Sequence, residues 1–152
     1  MFLPRKIIVI SVREQKLFFI CDDKIKEYPV STSRYGVGYE EGSFKTPLGL
    51  HRIFQKIGGG EDKGTAFVGR KPVSKAESVR IQGKDLITSR ILWLEGIEQH
   101  NQSTLSRYIY IHGTDQKVGV PLSKGCIRMT DDDIIELFEN VDVGDIVYIT
   151  DG

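Results

Sequence analysis

The stretch formed by residues 6–32, KIIVISVREQKLFFICDDKIKEYPVST, contains three short apolar runs that are separated by polar residues. Its first run, KIIVISV, is apolar on both faces, which is typical of a strand in the middle of a sheet. The segment REQ and the pair Asp22-Asp23 then turn the chain twice. Runs of this length with such short turns predict an antiparallel meander of three strands.

The rest of the chain has the same character and predicts a mainly β protein. Further strand-like runs are LHRIFQKI, LITSRILWL, RYIYIHG and IVYIT. One helix is well indicated, in TDDDIIELFENV, because Thr130 can cap it and the aspartates that follow favour the positive end of the helix dipole. No repeat or linker divides the sequence, so we expect a single domain over residues 1–152.

The size and the charge of the chain limit its functions. With 152 residues and a mass of 17.2 kDa, it is long enough to bury a core without disulfide bonds. Its 21 Lys and Arg residues balance its 21 Asp and Glu residues, so the formal net charge is zero. A balanced charge argues against a specialised nucleic-acid-binding protein, and we expect no nucleic-acid partner.

The sequence also argues against a membrane span, since no apolar run approaches the roughly 18 to 20 residues that a bilayer requires. The segment MFLPRKIIVISVREQK resembles a signal peptide only in its basic pair, and its apolar run ends after six residues without a cleavage site. We therefore expect either a cytoplasmic chain or one whose export signal has been removed.

Cofactor motifs are not supported by the sequence. The glycines of GVG and YEEG have the wrong spacing for a dinucleotide-binding loop. The three histidines and two cysteines form no pair at metal-ligand spacing, so we expect neither a metal nor an organic cofactor. Cys21 is predicted to be a buried core thiol, and His51 and His100 are predicted to be structural or solvated.

The third histidine has a different context, at the end of the run RYIYIHG. Alternation along a strand would point Ile109 and Ile111 to one face, and Tyr110 and His112 to the other, more polar face. Gly113 would then end the strand beside the imidazole. This pattern predicts a histidine that is presented at a strand end.

Cys126 follows Gly125 in a short loop before the predicted helix. A side chain there can lie on a tight backbone with free N–H groups nearby, as an oxyanion site requires. A thiol becomes a good nucleophile when a nearby imidazole takes its proton. The alternative is a second buried cysteine and a hydrogen-bonded strand-end histidine, and spacing alone leaves both interpretations open.

The motif HGT, followed after an irregular loop by SKGCIRM, resembles the signature of the L,D-transpeptidase catalytic domain, the YkuD family. KTPLGLHRI resembles the Thr-Pro-x-Gly strand of that family, and VGDIVYI resembles its closing strand. The resemblance therefore covers nearly the whole chain. It implies a mainly β fold, a partly open barrel or sandwich with short helices.

The resemblance also implies a cysteine acyl-transfer mechanism. Cys126 would be the nucleophile and His112 the general base, later the acid. The carbonyl of Gly113 would orient the imidazole, and backbone N–H groups near Gly125 and Cys126 would stabilise the oxyanion. The donor would be a peptidoglycan tetrapeptide stem that loses its terminal D-alanine, and the thioester would pass to an amine acceptor.

Four further residues are expected on the substrate side of this site. Ser123 would shape the loop, and Arg128 would bind a substrate carboxylate through its bidentate fork. A salt bridge from Arg128 to the acidic start of the helix is the alternative. Lys124 stands where many family members carry a second histidine, which would alter a substrate contact. Tyr110 shares the strand face of His112.

Three functions are compatible with these residues. The first is an L,D-transpeptidase, and the second is an L,D-carboxypeptidase or amidase that uses the same acyl-enzyme with water as acceptor. The third is a non-catalytic peptidoglycan-binding domain, against which the intact His112 and Cys126 argue. The family implies the cell envelope, although the sequence carries no signal peptide. The acceptor, the diamino acid of the stem and the oligomeric state are left open.

Overall fold

The computed structural model describes residues 5–81 and 85–152, and its described part is built on one ten-stranded sheet with short helices. The strands are β1 Lys6–Ser11, β2 Lys16–Cys21, β3 Lys24–Pro29, β4 Gly49–Ile57, β5 Ala66–Val68, β6 Lys71–Pro72, β7 Ile87–Gly96, β8 Tyr110–Thr114, β9 Ile127–Thr130 and β10 Ile146–Thr150. The helices are α1 Lys75–Arg80, α2 Ser103–Ser106 and α3 Asp131–Asn140, with a 3-10 turn at Gln99–Asn101. The prediction of a mainly β fold is confirmed.

The sheet has the strand order β3-β2-β1-β10-β4-β7-β5-β6, while β8 pairs with β7 and β9 pairs with β8. It curls into a half-barrel. The predicted meander is confirmed, because β2 pairs antiparallel with both β1 and β3. The apolar strand β1 pairs on its other side with β10, in parallel, and so lies inside the sheet as its sequence indicates.

Helix α3 packs against the main core of this sheet. Thr130 caps it, since its hydroxyl accepts a hydrogen bond from the backbone N–H of Asp133 at 3.3 Å. Ile134 and Leu137 are fully buried among side chains of β1, β2, β7 and β9. Burial of each such side chain contributes about 1.5–3 kcal/mol, so this helix is fixed firmly beside the strands that carry the candidate site.

Strand β8 differs from the prediction in length and in burial. It continues to Thr114, and all five of its residues are buried. Gly113 does not end the strand, because it pairs with Thr88 of β7 and Met129 of β9. A Cβ at Gly113 would collide with the carbonyl oxygen of Thr88, so the glycine permits close strand packing. His112 therefore lies within a strand and not at its exposed end.

Among residues 5–81 and 85–152, no helix has both the length and the apolar character needed to cross a bilayer.

Candidate active site

The thiol of Cys126 lies just before β9, against the backbone that leads into β8. Its Sγ accepts a hydrogen bond from the N–H of Tyr110 at 3.4 Å and contacts the carbonyl oxygen of Tyr108 at 3.5 Å. The parallel pairing of Ile111 with Ile127 brings these segments together. The residue as a whole is partly exposed.

Ser123 fixes the loop that presents this thiol. Its hydroxyl donates to the carbonyl of Cys126 at 2.6 Å and accepts from the N–H of Gly125 at 3.1 Å. The hydroxyl of Thr46 donates to the carbonyl of Gly125 at 2.9 Å. Gly125 has a φ of +119°, a conformation that favours glycine. Thr46 belongs to the Thr-Pro motif, but no pattern in the sequence indicates that its hydroxyl supports the cysteine loop.

These bonds bear on the expected role of Gly125 as an oxyanion donor. Its N–H was predicted to stabilise an oxyanion, but it already donates to Ser123. A substrate oxygen would have to replace that bond. The N–H of Cys126 is the other donor named by the sequence, and it becomes the stronger candidate.

His112 is 3% exposed and has a defined ring orientation. Its Nδ1 lies 2.6 Å from the carbonyl oxygen of Gly113, which can only accept, so Nδ1 carries the proton. The other nitrogen, Nε2, is then the basic atom. Burial lowers the pKa of His112 from 6.5 to about 4, so the imidazole is neutral near pH 7.

His112 and Cys126 meet at one small cavity of about 90 Å³. The other side chains at this cavity are Asp85, Ile87, Ser123, Lys124 and Arg128. Burial raises the pKa of the Cys126 thiol from 9.0 to about 11. The resting site therefore contains a neutral thiol and a neutral imidazole, and it can pass a proton between them when an electrophile arrives.

The alternative expectation for Arg128 was a salt bridge to the start of helix α3. Arg128 does not form this salt bridge. Its Nη2 lies 2.5 Å from a carboxylate oxygen of Asp85, and its Nη1 lies 3.5 Å from Oε1 of Gln116. Asp131 at the helix start accepts instead from the hydroxyls of Thr88 and Ser89. The pairing of β8 with β9 places Arg128 beside His112, and this directs it towards Asp85.

Arg128 is only 2% exposed, and its Nε has no hydrogen-bond partner within the described residues. A buried arginine needs a countercharge, and Asp85 supplies it. The side chain of Asp85 is 39% exposed and reaches the cavity from the segment before β7. Asp85 was not predicted, since no local pattern marks a carboxylate that pairs 43 residues along the chain.

Lys124 and Tyr110 have opposite positions relative to solvent. Lys124 is exposed at the rim of the cavity, with its Nζ 5.8 Å from the ring centroid of Phe44. Tyr110 was predicted to contact substrate, but its side chain is buried at 5% exposure. Both faces of β8 are covered, so Tyr110 packs inside the protein beside Cys126 and supports it there.

The remaining candidate side chains form no further site. His51 is fully buried between the carbonyl of Gly49 and the hydroxyl of Thr104, and Cys21 is partly buried against the main core. In the described ranges, no group of three His, Cys, Asp or Glu side chains is placed to hold a metal ion.

Comparison with known proteins identifies the family of the chain. Residues 5–149 match the model of the L,D-transpeptidase catalytic domain, YkuD, and the chain belongs to this family. It is 30% identical over 153 residues to the probable L,D-transpeptidase YcfS of Escherichia coli, covering 96% of this chain and 44% of that protein. It is 49% identical over 49 residues to the probable L,D-transpeptidase ErfK/SrfK of Escherichia coli, covering 31% of this chain and 16% of that protein. The chain thus spans less than half the length of these relatives.

Solved structures show the same fold. The L,D-transpeptidase of Xylanimonas cellulosilytica superposes with a TM-score of 0.63 at 15% identity, covering 95% of this chain and 60% of that one. L,D-transpeptidase 3 of Mycobacterium tuberculosis gives a TM-score of 0.62 at 16% identity, covering 97% of this chain and 61% of that one. At such identity the likeness concerns the fold alone.

Proposed function

We propose that this protein is a cysteine-dependent L,D-transpeptidase that acts on peptidoglycan stem peptides. The observation that carries the proposal is the meeting of Cys126 and His112 at one cavity, with the imidazole oriented by the Gly113 carbonyl. Membership in the L,D-transpeptidase family supports the choice of substrate.

The proposed reaction begins when a tetrapeptide stem places the carbonyl of its third residue at the sulfur. Nε2 of His112 takes the thiol proton while Sγ of Cys126 forms a bond to that carbonyl carbon. Collapse of the tetrahedral intermediate breaks the C–N bond, and the imidazolium returns its proton to the leaving amine of D-alanine. The product is a thioester on Cys126.

In the second half, an amine on another stem attacks the thioester. His112 takes a proton from that amine and returns it to the sulfur, so a new amide forms and the thiol is restored. The Gly113 carbonyl orients the imidazole but carries no full negative charge, unlike a carboxylate. The transient imidazolium is therefore stabilised less than it would be by a carboxylate, and burial keeps the pKa of His112 low, at about 4.

Hydrolysis is the second candidate function, because water can attack the same thioester. Because Cys126 is partly exposed, a water molecule could reach an acyl group on its sulfur. Either reaction requires the protein to meet peptidoglycan stems, and we therefore place its site of action in the cell envelope.

The test is incubation with purified tetrapeptide muropeptides, followed by identification of the products by mass. Cross-linked dimers would indicate transfer, and tripeptides alone would indicate hydrolysis. Cys126→Ala should abolish both products, whereas Cys21→Ala is the matched control and should retain them. An unchanged tetrapeptide with the wild-type protein would exclude both enzymes and leave a peptidoglycan-binding domain.

A further inference from the structure

Arg70 lies at the tip of the hairpin formed by β5 and β6. Val68 pairs with Lys71, which leaves Gly69 and Arg70 as a two-residue turn. Both have positive φ, +56° and +66°, as a type I′ turn requires. Glycine or asparagine normally occupies the second turn position, because the Cβ of other residues is crowded there. The hairpin therefore contains an arginine that its backbone disfavours.

The side chain of Arg70 is held in one place by aromatic rings. Its guanidinium lies 4.7 Å from the ring centroid of Trp93 and 5.0 Å from that of Tyr108. Its Nη1 donates to the hydroxyl of Tyr110 at 3.1 Å. A stacked guanidinium is ordered before a ligand arrives, so binding loses less conformational freedom.

Two of these three aromatic residues, Tyr108 and Tyr110, contact the candidate nucleophile through their backbone. The carbonyl of Tyr108 and the N–H of Tyr110 are the backbone groups beside Sγ of Cys126. Tyr108 also has a positive φ, +57°, and its side chain is 52% exposed. Two non-glycine residues with positive φ, Arg70 and Tyr108, thus stack on each other, and the backbone carbonyl of Tyr108 contacts the thiol. Such outliers concentrate at functional sites, because the surrounding structure must hold them in place.

Arg128 and Arg70 differ in what occupies their donors. Arg128 is buried and already pairs with the carboxylate of Asp85. Arg70 is partly exposed and has no acidic partner among residues 5–81 and 85–152, where its Nε and Nη2 make no hydrogen bond. A planar guanidinium with two free donors matches a carboxylate in bidentate geometry.

We propose that Arg70 binds a carboxylate of the stem peptide and thereby determines substrate specificity. The inference rests on the stem-peptide reaction proposed above and adds a contact that the sequence motif does not include. A tetrapeptide stem offers the carboxylate of its terminal D-alanine and, where its diamino acid carries one, a side-chain carboxylate. The experiment below separates these two sources.

The test uses three synthetic tetrapeptides: one with free carboxylates, one amidated at its C-terminus, and one amidated on the diamino-acid side chain. Arg70→Gly removes the guanidinium and relieves the turn, whereas Arg70→Lys retains a charge without the fork. Asp22→Gly is the matched control, since Asp22 has a positive φ of +55° in the β2–β3 turn, at the far end of the sheet. Activity, binding and thermal stability are measured for each protein.

We expect Arg70→Gly to lower kcat/KM for the free tetrapeptide roughly 10- to 100-fold, the effect of losing a hydrogen-bonded charge pair. Arg70→Lys should recover only part of this loss. One amidated peptide should be equally poor with the wild type and with Arg70→Gly, and this peptide identifies the carboxylate. Arg70→Gly should melt no lower than the wild type. The Asp22→Gly control should retain wild-type activity.

A purely structural role of Arg70 would give another pattern of results. Arg70→Gly would then lower the melting temperature and reduce activity on all three peptides by the same factor, which would overturn the inference, as would an unchanged kcat/KM. Binding in a Cys126→Ala background, measured by calorimetry, separates this outcome from failure of the proposed function. If that protein binds none of the peptides, both proposals fail; if it binds equally well with and without Arg70, only this inference fails.

Discussion

His51 on β4 and His112 on β8 are two histidines in nearly the same physical situation. Each side chain is at most 3% exposed. One ring nitrogen of each contacts a backbone carbonyl oxygen, that of Gly49 at 3.0 Å and that of Gly113 at 2.6 Å. Burial lowers both pKa values to about 4, so both rings are neutral near pH 7.

The difference lies in the second ring nitrogen. Nε2 of His51 lies 3.0 Å from the hydroxyl of Thr104, so the network is closed and fully inside the protein. Nε2 of His112 has no hydrogen-bond partner in the described part of the chain, and its ring lines the Cys126 cavity. Burial and a low pKa therefore do not identify a functional histidine. His112 differs in having a basic nitrogen without a partner among the described residues, at the cavity that Cys126 also lines.

The largest expected effect separates the two histidines by activity. Replacing His112 with glutamine keeps a polar side chain but removes the base, so kcat/KM on a tetrapeptide stem should fall about 10²- to 10⁴-fold. His51→Gln is the matched control and should retain activity per folded molecule. Product formation followed by mass measures both. Equal losses in the two variants would mean that His112 has only a structural role.

The second prediction sharpens the comparison by testing whether the thiol proton of Cys126 stays on the sulfur or moves to Nε2 of His112. In a Cys21→Ala protein, alkylation of Cys126 by iodoacetamide should accelerate about tenfold per pH unit from pH 7 to 10, because the thiol pKa is about 11. In the same protein unfolded in urea, the alkylation rate should stop rising once the pH passes the ordinary thiol pKa of 9.0. Rapid labelling of the folded protein at pH 6–7 would instead indicate a preformed thiolate and imidazolium pair.

The third prediction concerns acid, where the two histidines should behave alike. Each folded pKa, about 4, lies below the ordinary 6.5, so the unfolded chain binds the proton first as the pH falls. Each histidine should therefore remove about 3 kcal/mol of stability between pH 6.5 and pH 4, with no further loss below. Urea unfolding at these pH values measures the effect.

Glutamine variants measure how much of this acid sensitivity each of the two histidines causes. His51→Gln and His112→Gln should each flatten the pH dependence by a similar amount, and the double variant should flatten it by the sum. A pH dependence that survives in the double variant would show that other groups cause the acid sensitivity.

The smallest expected effect concerns Ser123, in the loop that presents Cys126 at the cavity beside His112. Ser123→Ala removes the bonds to the carbonyl of Cys126 and to the N–H of Gly125, at a cost of about 1–2 kcal/mol of stability. Turnover should fall by less than His112→Gln causes, since the thiol and the base remain. Ser106→Ala, at an exposed hydroxyl, should stay within about 0.5 kcal/mol of the wild type. A Ser123→Ala protein as stable as the wild type would contradict the assigned hydrogen bonds.

Local patterns in the sequence predicted the parts of the fold that depend on local physics. The alternation and the short turns of residues 6–32 indicated the β1–β2–β3 meander, and Thr130 with the following aspartates marked the start of α3. The motif around Cys126 and its upstream His112 indicated two side chains that the structure brings to one cavity.

Long-range pairings were not predictable from such patterns. The parallel pairing of β8 with β9 buries Tyr110 and extends the strand past Gly113, and no periodicity within RYIYIHG contains that information. Asp85 reaches Arg128 from 43 residues away. Arg70 was missed for another reason: the turn it occupies normally carries glycine or asparagine there, so the usual hairpin signal is absent.

The position of β10 has a consequence for how the molecule is made. In the sheet, β10 lies between β1 and β4, so it connects the opening meander to the strands beyond it. A ribosome produces residues 146–150 after all the other strands. The meander can form early from neighbouring residues, but it must wait with one edge unpaired until this strand arrives. The sheet therefore cannot be completed before residues 146–150 have been made, and the unpaired edge of β1 is the place where a chaperone or a wrong strand would bind first.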